Sequence, residues 1–115
     1  MTRDNETLTY LCDRIHTILD GDPRITEKRM FGGHTFLLNG HILVAAKKDG
    51  RILVKVGKET SNEEALARPG TTQMVHGGKA MRGFIWVDPD VIEDDDDLRD
   101  WIATSERHAA SQVPV

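Results

Sequence analysis

A chain of 115 residues, 38% apolar and 30% charged, has the size of one domain and a globular composition. No apolar run approaches the roughly 20 residues a membrane-spanning helix needs, and residues 1–20 alternate acidic and apolar positions, unlike a secretory signal. The single cysteine, Cys12, excludes an internal disulfide and suits a reducing, cytoplasmic setting.

The net charge of −4 is unevenly spread. Residues 1–57 carry 9 basic and 7 acidic side chains, residues 58–115 carry 6 and 12. Between Lys28 and Lys58 there are seven basic residues and one acid, Asp49. The whole chain is therefore not expected to be drawn to nucleic acid, while a local basic surface is.

Leu8, Leu11, Cys12, Ile15, Ile18 and Leu19 recur at three- and four-residue spacing and predict an amphipathic helix. Asp4 or Asn5 caps its start, and Asp20-Gly21-Asp22-Pro23 ends it. Ile25 to Phe31 reads as a strand before Gly32-Gly33. Thr35–Leu38 and Ile42–Ala46 flank Asn39-Gly40, the strongest short hairpin signal because both turn positions tolerate positive φ. Asp49-Gly50 precedes a further strand, Ile52–Val56. Ser61 with Glu64 forms a capping box for a short helix stopped by Pro69-Gly70. Met81–Val87 is the next clear strand, with Thr72–Val75 as its partner across Gly77-Gly78. The acids Glu93–Asp97 open a last helix carrying Leu98, Trp101, Ile102, Ser105 and Ala109. The fold class is α+β: an antiparallel meander of four to five strands with N-terminal, middle and C-terminal helices. One domain spans residues 1–110, and residues 111–115 form a frayed tail.

Two-residue turns would pair Leu38 with His41, Phe36 with Leu43, Lys48 with Arg51 and Ala46 with Leu53. Strict alternation then places Phe36, Leu38, Leu43, Ala45, Ile52, Val54 and Val56 on a core face. The other face is mixed, with Thr35, Leu37, Ile42, Val44, Ala46 and Leu53 beside Lys48, Arg51 and Lys55. In the last strand, Arg82, Phe84 and Trp86 point one way and Met81, Ile85 and Val87 the other. If the second set joins the core, Arg82, Phe84 and Trp86 lie near the basic residues. Such a surface is either a platform for single-stranded nucleic acid or an acidic partner, or a second small core under a helix. The covered arrangement is favoured, because both faces are apolar enough to need covering.

Catalytic and metal chemistry find no support in the spacing. His34 and His41 share a face but lie about 13 Å apart along the strand at about 3.3 Å per residue, too far for one ion. No HxxxH, HxH or CxxC spacing occurs. The acidic run lacks the calcium-loop pattern and reads as a solvated helix start. Cys12 sits on an apolar stripe as a buried structural thiol. Neither glycine pair follows a phosphate-loop pattern.

Lys28-Arg29-Met30-Phe31-Gly32-Gly33, Phe36–Gly40, Leu53–Gly57, Ala65–Gly70 and Ala80-Met81-Arg82-Gly83-Phe84, in that order, resemble the TfoX/Sxy N-terminal-domain family across about the whole chain. The resemblance implies a role beside regulators of natural competence, which act with the cyclic-AMP receptor protein on promoters, and implies no catalytic residues. The full-length regulators add a helical C-terminal domain resembling DNA-associated helix–hairpin–helix modules; this sequence stops at Val115, as stand-alone versions of the N-terminal domain do. Val75-His76-Gly77-Gly78 also departs from the usual aspartate-aromatic pattern before the Met-Arg-Gly motif.

The expectation is a non-enzymatic regulatory module without cofactor or membrane contact, binding a protein partner through Lys48, Arg51, Lys55, Arg82, Phe84 and Trp86. Arg29, Met30, Phe31, Gly32, Gly33, Asn39, Gly40, Met81 and Gly83 are expected to be mainly architectural. Direct single-stranded nucleic-acid binding and a small-molecule or enzymatic site at the helix–sheet junction are the alternatives. A homodimer through a sheet edge or the stripe around Trp101 is left open.

Overall fold

The computed structural model describes residues 3–30, 32–58 and 60–112, with side chains from Glu6 onward. Phe31 of the family motif and residues 113–115 of the expected tail lie outside that set. Leu8, Leu11, Ile15 and Leu19 run along one side of α1 (Arg3–Leu19), and the helix stops where Asp20 and Gly21 take φ of 48° and 69°. Six strands follow, one or two more than expected: β1 (Ile25–Met30), β2 (Gly33–Leu38), β3 (His41–Ala46), β4 (Ile52–Lys55), β5 (Thr71–His76) and β6 (Lys79–Val87). They form one antiparallel sheet in the order β1-β2-β3-β4-β6-β5.

The short helix α2 (Thr60–Leu66) joins β4 to β5. It begins one residue before Ser61, which therefore lies inside its first turn instead of capping it. A 3₁₀ turn, Pro89–Ile92, leads to α3 (Asp95–Ala110). The acidic run starts α3: the Asp94 carboxylate accepts the Asp96 N–H at 3.0 Å, and three acids occupy the positive end of the helix dipole.

All three helices pack on one face of the sheet. Leu11, Ile15 and Leu19 of α1, Ala65 of α2 and Leu98, Trp101, Ile102 and Ala109 of α3 share a core with Phe36, Leu38, Leu43, Val44, Ala46, Ile52, Val54, Val56, Ile85 and Val87. Trp101 is 1% exposed. The stripe around it thus packs on the domain's own sheet.

Two departures from the predicted register decide what the other face carries. The Asn39-Gly40 turn pairs Leu38 with His41 as expected, but Phe36 then pairs with Val44 instead of Leu43. Leu43 is the extra residue of a β-bulge, and it and Val44 both face the core. The next turn has three residues, not two. Lys47 accepts the Gly50 N–H at 3.1 Å and donates to Arg51 at 3.0 Å, and Gly50 takes the left-handed position at φ 91°. Ala46 therefore pairs with Ile52 and Ala45 with Leu53. The consequence corrects the expected faces: Val44 and Ala46 belong to the core, and Ala45 belongs to the opposite face.

The buried Ser105 hydroxyl of α3 donates to the carbonyl of the bulge residue Leu43 at 2.8 Å. Ser105→Ala removes this tie between α3 and the sheet and is expected to lower unfolding free energy by about 0.5–1.5 kcal/mol, read from urea denaturation with an unchanged m-value.

Candidate functional site

The face away from the helices carries a second apolar cluster: Ala45, Leu53, Met74 and Phe84, with half-buried Ile42, Met81 and Trp86 against them. Every one of these residues is on a strand, so no described helix covers the cluster, contrary to the covered arrangement favoured from sequence. Basic side chains cover it instead. The Arg51 guanidinium lies 4.2 Å from the Trp86 ring centre, Lys47 Nζ lies 5.5 Å from the same ring, and Lys55 Nζ lies 4.3 Å from the Phe84 ring. Cation–π contacts of this kind contribute about 0.5–1 kcal/mol when exposed and about 2 when desolvated. The aliphatic stems shield apolar area while the charges stay at the surface.

Arg51 is also held from its own turn. The Asp49 carboxylate accepts its backbone N–H at 3.0 Å and its Nε–H at 2.8 Å. Burial pushes the Asp49 carboxyl up, but the Arg51 hydrogen bonds outweigh it and hold the group below its ordinary value. Lys55 is lowered from its ordinary value, by burial first and by neighbouring Lys58 second.

Of the side chains expected here, Arg51, Lys55, Phe84 and Trp86 are brought together. Lys48 and Arg82 are not. The three-residue turn gives Lys47 the place on this face and sends Lys48 to a different surface hollow, near Leu8, Arg29 and His34. Sequence alternation missed Lys47 because nothing in Asp49-Gly50 states the loop length. Arg82 turns toward α2, where its Nε donates to the Lys58 carbonyl at 3.1 Å and its guanidinium pairs with Glu63. Gly83, at φ 93°, breaks the alternation between Arg82 and Phe84 and places Met81 with the second cluster instead of the core. A Cβ at Gly83 would stand 2.9 Å from the Val56 carbonyl oxygen, so the strand crossing requires glycine there.

The glycine pair of the motif serves this face too. A Cβ on Gly33 would meet the Ala46 carbonyl oxygen at 2.2 Å and Lys47 Cδ at 3.0 Å, and one on Gly32 would meet Lys47 Nζ at 3.0 Å. Lys47 thus lies across both glycines on its way to Trp86. Asn39, at φ 51°, and Gly40, at φ 85°, form the hairpin turn, and the Asn39 N–H also donates to the Arg24 carbonyl at 3.0 Å. Arg29 is exposed on edge strand β1, and half-buried Met30 ends that strand.

The sequence matches the TfoX N-terminal domain over residues 17–109, most of the chain. The chain belongs to that family. No curated protein and no solved structure matches it.

Elsewhere in this TfoX N-terminal domain, two histidines that sequence reading did not connect converge on one carboxylate. Glu27 Oε1 lies 3.0 Å from His16 Nε2 and 2.5 Å from His34 Nε2, and both imidazoles stand edge-on to Phe36, with ring centres about 5 Å away. The link joins α1 to β1 and β2. Its only sequence signal is the β1–β2 pairing, which sets Glu27 against Phe36. Among the described residues no group of three His, Cys, Asp or Glu side chains is arranged to hold a metal ion. Cys12 is half-buried, and burial, then Glu27 and Asp13, push its thiol to about 11. It is almost entirely protonated at neutral pH and a poor nucleophile.

The hydrogen bond from His34, with that from His16, holds the Glu27 carboxyl below its ordinary 4.5. A carboxyl depressed by folding stabilises the fold above its unfolded value, and that contribution disappears as pH falls through the folded value. The melting-temperature difference between wild type and Glu27→Gln is therefore expected to be fully present above the ordinary carboxyl value of 4.5 and to shrink as pH falls below it. A difference independent of pH would show that the charge is not involved.

Proposed function

We propose that this TfoX N-terminal domain is a non-enzymatic regulatory module. It captures an acidic segment of another protein on the sheet face built from Lys47, Arg51, Lys55, Phe84 and Trp86. The observation that carries the reading is the one-sided placement of the helices, which leaves an apolar cluster covered only by its own cations. An acidic partner can exchange solvent for these charges while burying the stems and ring edges beneath them.

Family membership supports a regulatory role connected with natural competence and transcription, exercised through a partner. No described helix is long and apolar enough to cross a membrane, and the lone half-buried thiol suits a cytoplasmic setting. Stacking of nucleic-acid bases has less support. The Trp86 and Phe84 rings already carry Arg51 and Lys55, so a base would have to displace them, and the net charge of −4 opposes approach.

The test is capture from native lysate with wild-type and Arg51→Glu/Lys55→Glu baits. The double variant is expected to lose the retained protein, with a melting temperature lowered by only a few degrees, since two exposed cation–π contacts contribute about 1–2 kcal/mol together. Equal capture by both baits would remove this face from the assignment. Capture of oligonucleotide alone, lost at high salt, would transfer it to nucleic-acid binding.

A further inference from the structure

On the helix side, two hollows share a wall where the end of α3 meets the chain from β4 into α2. Gly57, Ser61 and His108 line both. The inner one, about 520 Å³, has an apolar floor of Val56 and Ala65 and a far rim of Glu64, Arg68 and Arg107. The outer one, about 490 Å³, gathers Lys55, Lys58 and His108 with the hydroxyls of Thr60 and Ser61 and the amide of Gln112. Its described lining contains no carboxylate.

The lack of a side chain at Gly57 makes the outer hollow polar and accessible. A Cβ there would lie 3.1 Å from Ser61 Oγ and 3.5 Å from His108 Nδ1, so both groups close over bare backbone. Three cationic or protonatable groups, Lys55, Lys58 and His108, crowd this spot. Among the described residues no carboxylate pairs with Lys55, Lys58 or His108. The nearest described acid of α2's first turn, Glu63, is engaged by Arg82, and Arg68 on the far rim is engaged by Asp100 at 2.7 Å. The crowding registers in the groups themselves: burial, then Lys58, lowers Lys55, and burial, then Lys55 and His41, lowers His108. Two ammonium groups, an imidazole and hydroxyls, gathered in a concavity beside an apolar-floored hollow, match a doubly charged oxyanion with an organic substituent.

We propose that this junction binds a phosphate-bearing small molecule. Lys58, His108 and Ser61 hold the phosphate, and the inner hollow takes the organic part over Val56 and Ala65. The site lies on the opposite side of the sheet from Trp86 and is independent of the protein-capture reading. Lys55, over the Phe84 ring at the end of β4, borders both.

The experiment is thermal unfolding of the full chain at pH 7 with inorganic phosphate or phenyl phosphate, against sodium chloride at equal ionic strength. His108 imidazole signals are followed by NMR in the same samples. At about ten times its Kd, phenyl phosphate is expected to raise the melting temperature by roughly 5 °C, and phosphate alone by less at the same concentration. The His108 titration midpoint should rise as the dianion binds. Lys58→Gln and His108→Gln, neither on the cation–aromatic face, should lose the shift and still bind the protein partner. Equal shifts in wild type and variants, or unmoved His108 signals in the wild-type protein, would overturn the proposal. Phosphate matching phenyl phosphate would overturn the assignment of the inner hollow and with it a small organic ligand.

Discussion

The register of β3 governs this molecule. One extra residue at Leu43 and one extra residue in the turn at Lys48-Asp49-Gly50 together decide which side chains meet the helices and which meet solvent. With side chains alternating at every residue, a shift of one position reverses a strand's faces. The bulge turns Leu43 and Val44 inward together, so Ala45 of β3 and Lys47 just beyond its end are presented outward. Ser105 of α3 donates to the carbonyl of the bulge residue Leu43, so the helix layer is pinned to the same irregularity.

From that register follows a division of labour between the faces. The helix face consumes the bulk of the aliphatic side chains and all of Trp101, with Arg68 3.5 Å from the Trp101 ring centre at its border. The other face has too little apolar surface to recruit a helix and too much to leave bare. Long cationic side chains laid over aromatic rings answer both demands, since their stems are apolar and their heads are solvated. The same arrangement concentrates positive charge on a molecule of net negative charge, which sets an attractive patch within a repulsive background.

A second irregularity, in β6, has a comparable reach. Gly83 bends the strand, and the buried Asn62 of α2 accepts its N–H at 2.7 Å while donating to Gln73, whose own amide donates to the Met81 and Phe84 carbonyls. Backbone groups that lose ladder partners at the bend are thereby satisfied, which the low-dielectric interior demands. The bend carries Arg82 to α2 and leaves Phe84 and Trp86 on the open face. It also brings the β4–α2 connection alongside α3, forming the junction lined by Lys58 and His108.

Much of this was legible in the residues themselves. The spacing of Leu11, Ile15 and Leu19, the acids ahead of Leu98 and the Asn39-Gly40 turn all report local geometry, and local geometry is what periodicity and turn chemistry encode. Arg51, Lys55, Phe84 and Trp86 were legible together because alternation puts Arg51, just before β4, on one face with Lys55 of β4, and puts Phe84 on one face with Trp86 in β6, the strand that β4 pairs with. Lys47 in place of Lys48, the diversion of Arg82, the Glu27 link to His16 and His34, and the uncovered second face were decided only in three dimensions. Each depends on where a ladder slips or which side the helices choose, and those choices minimise the energy of the whole core rather than of any short segment. The sequence by itself determined an α+β domain with a basic, aromatic strand pair. The tertiary structure decided which cations lie on those rings and that the rings face outward, because a one-residue slip costs nothing locally and reverses a face.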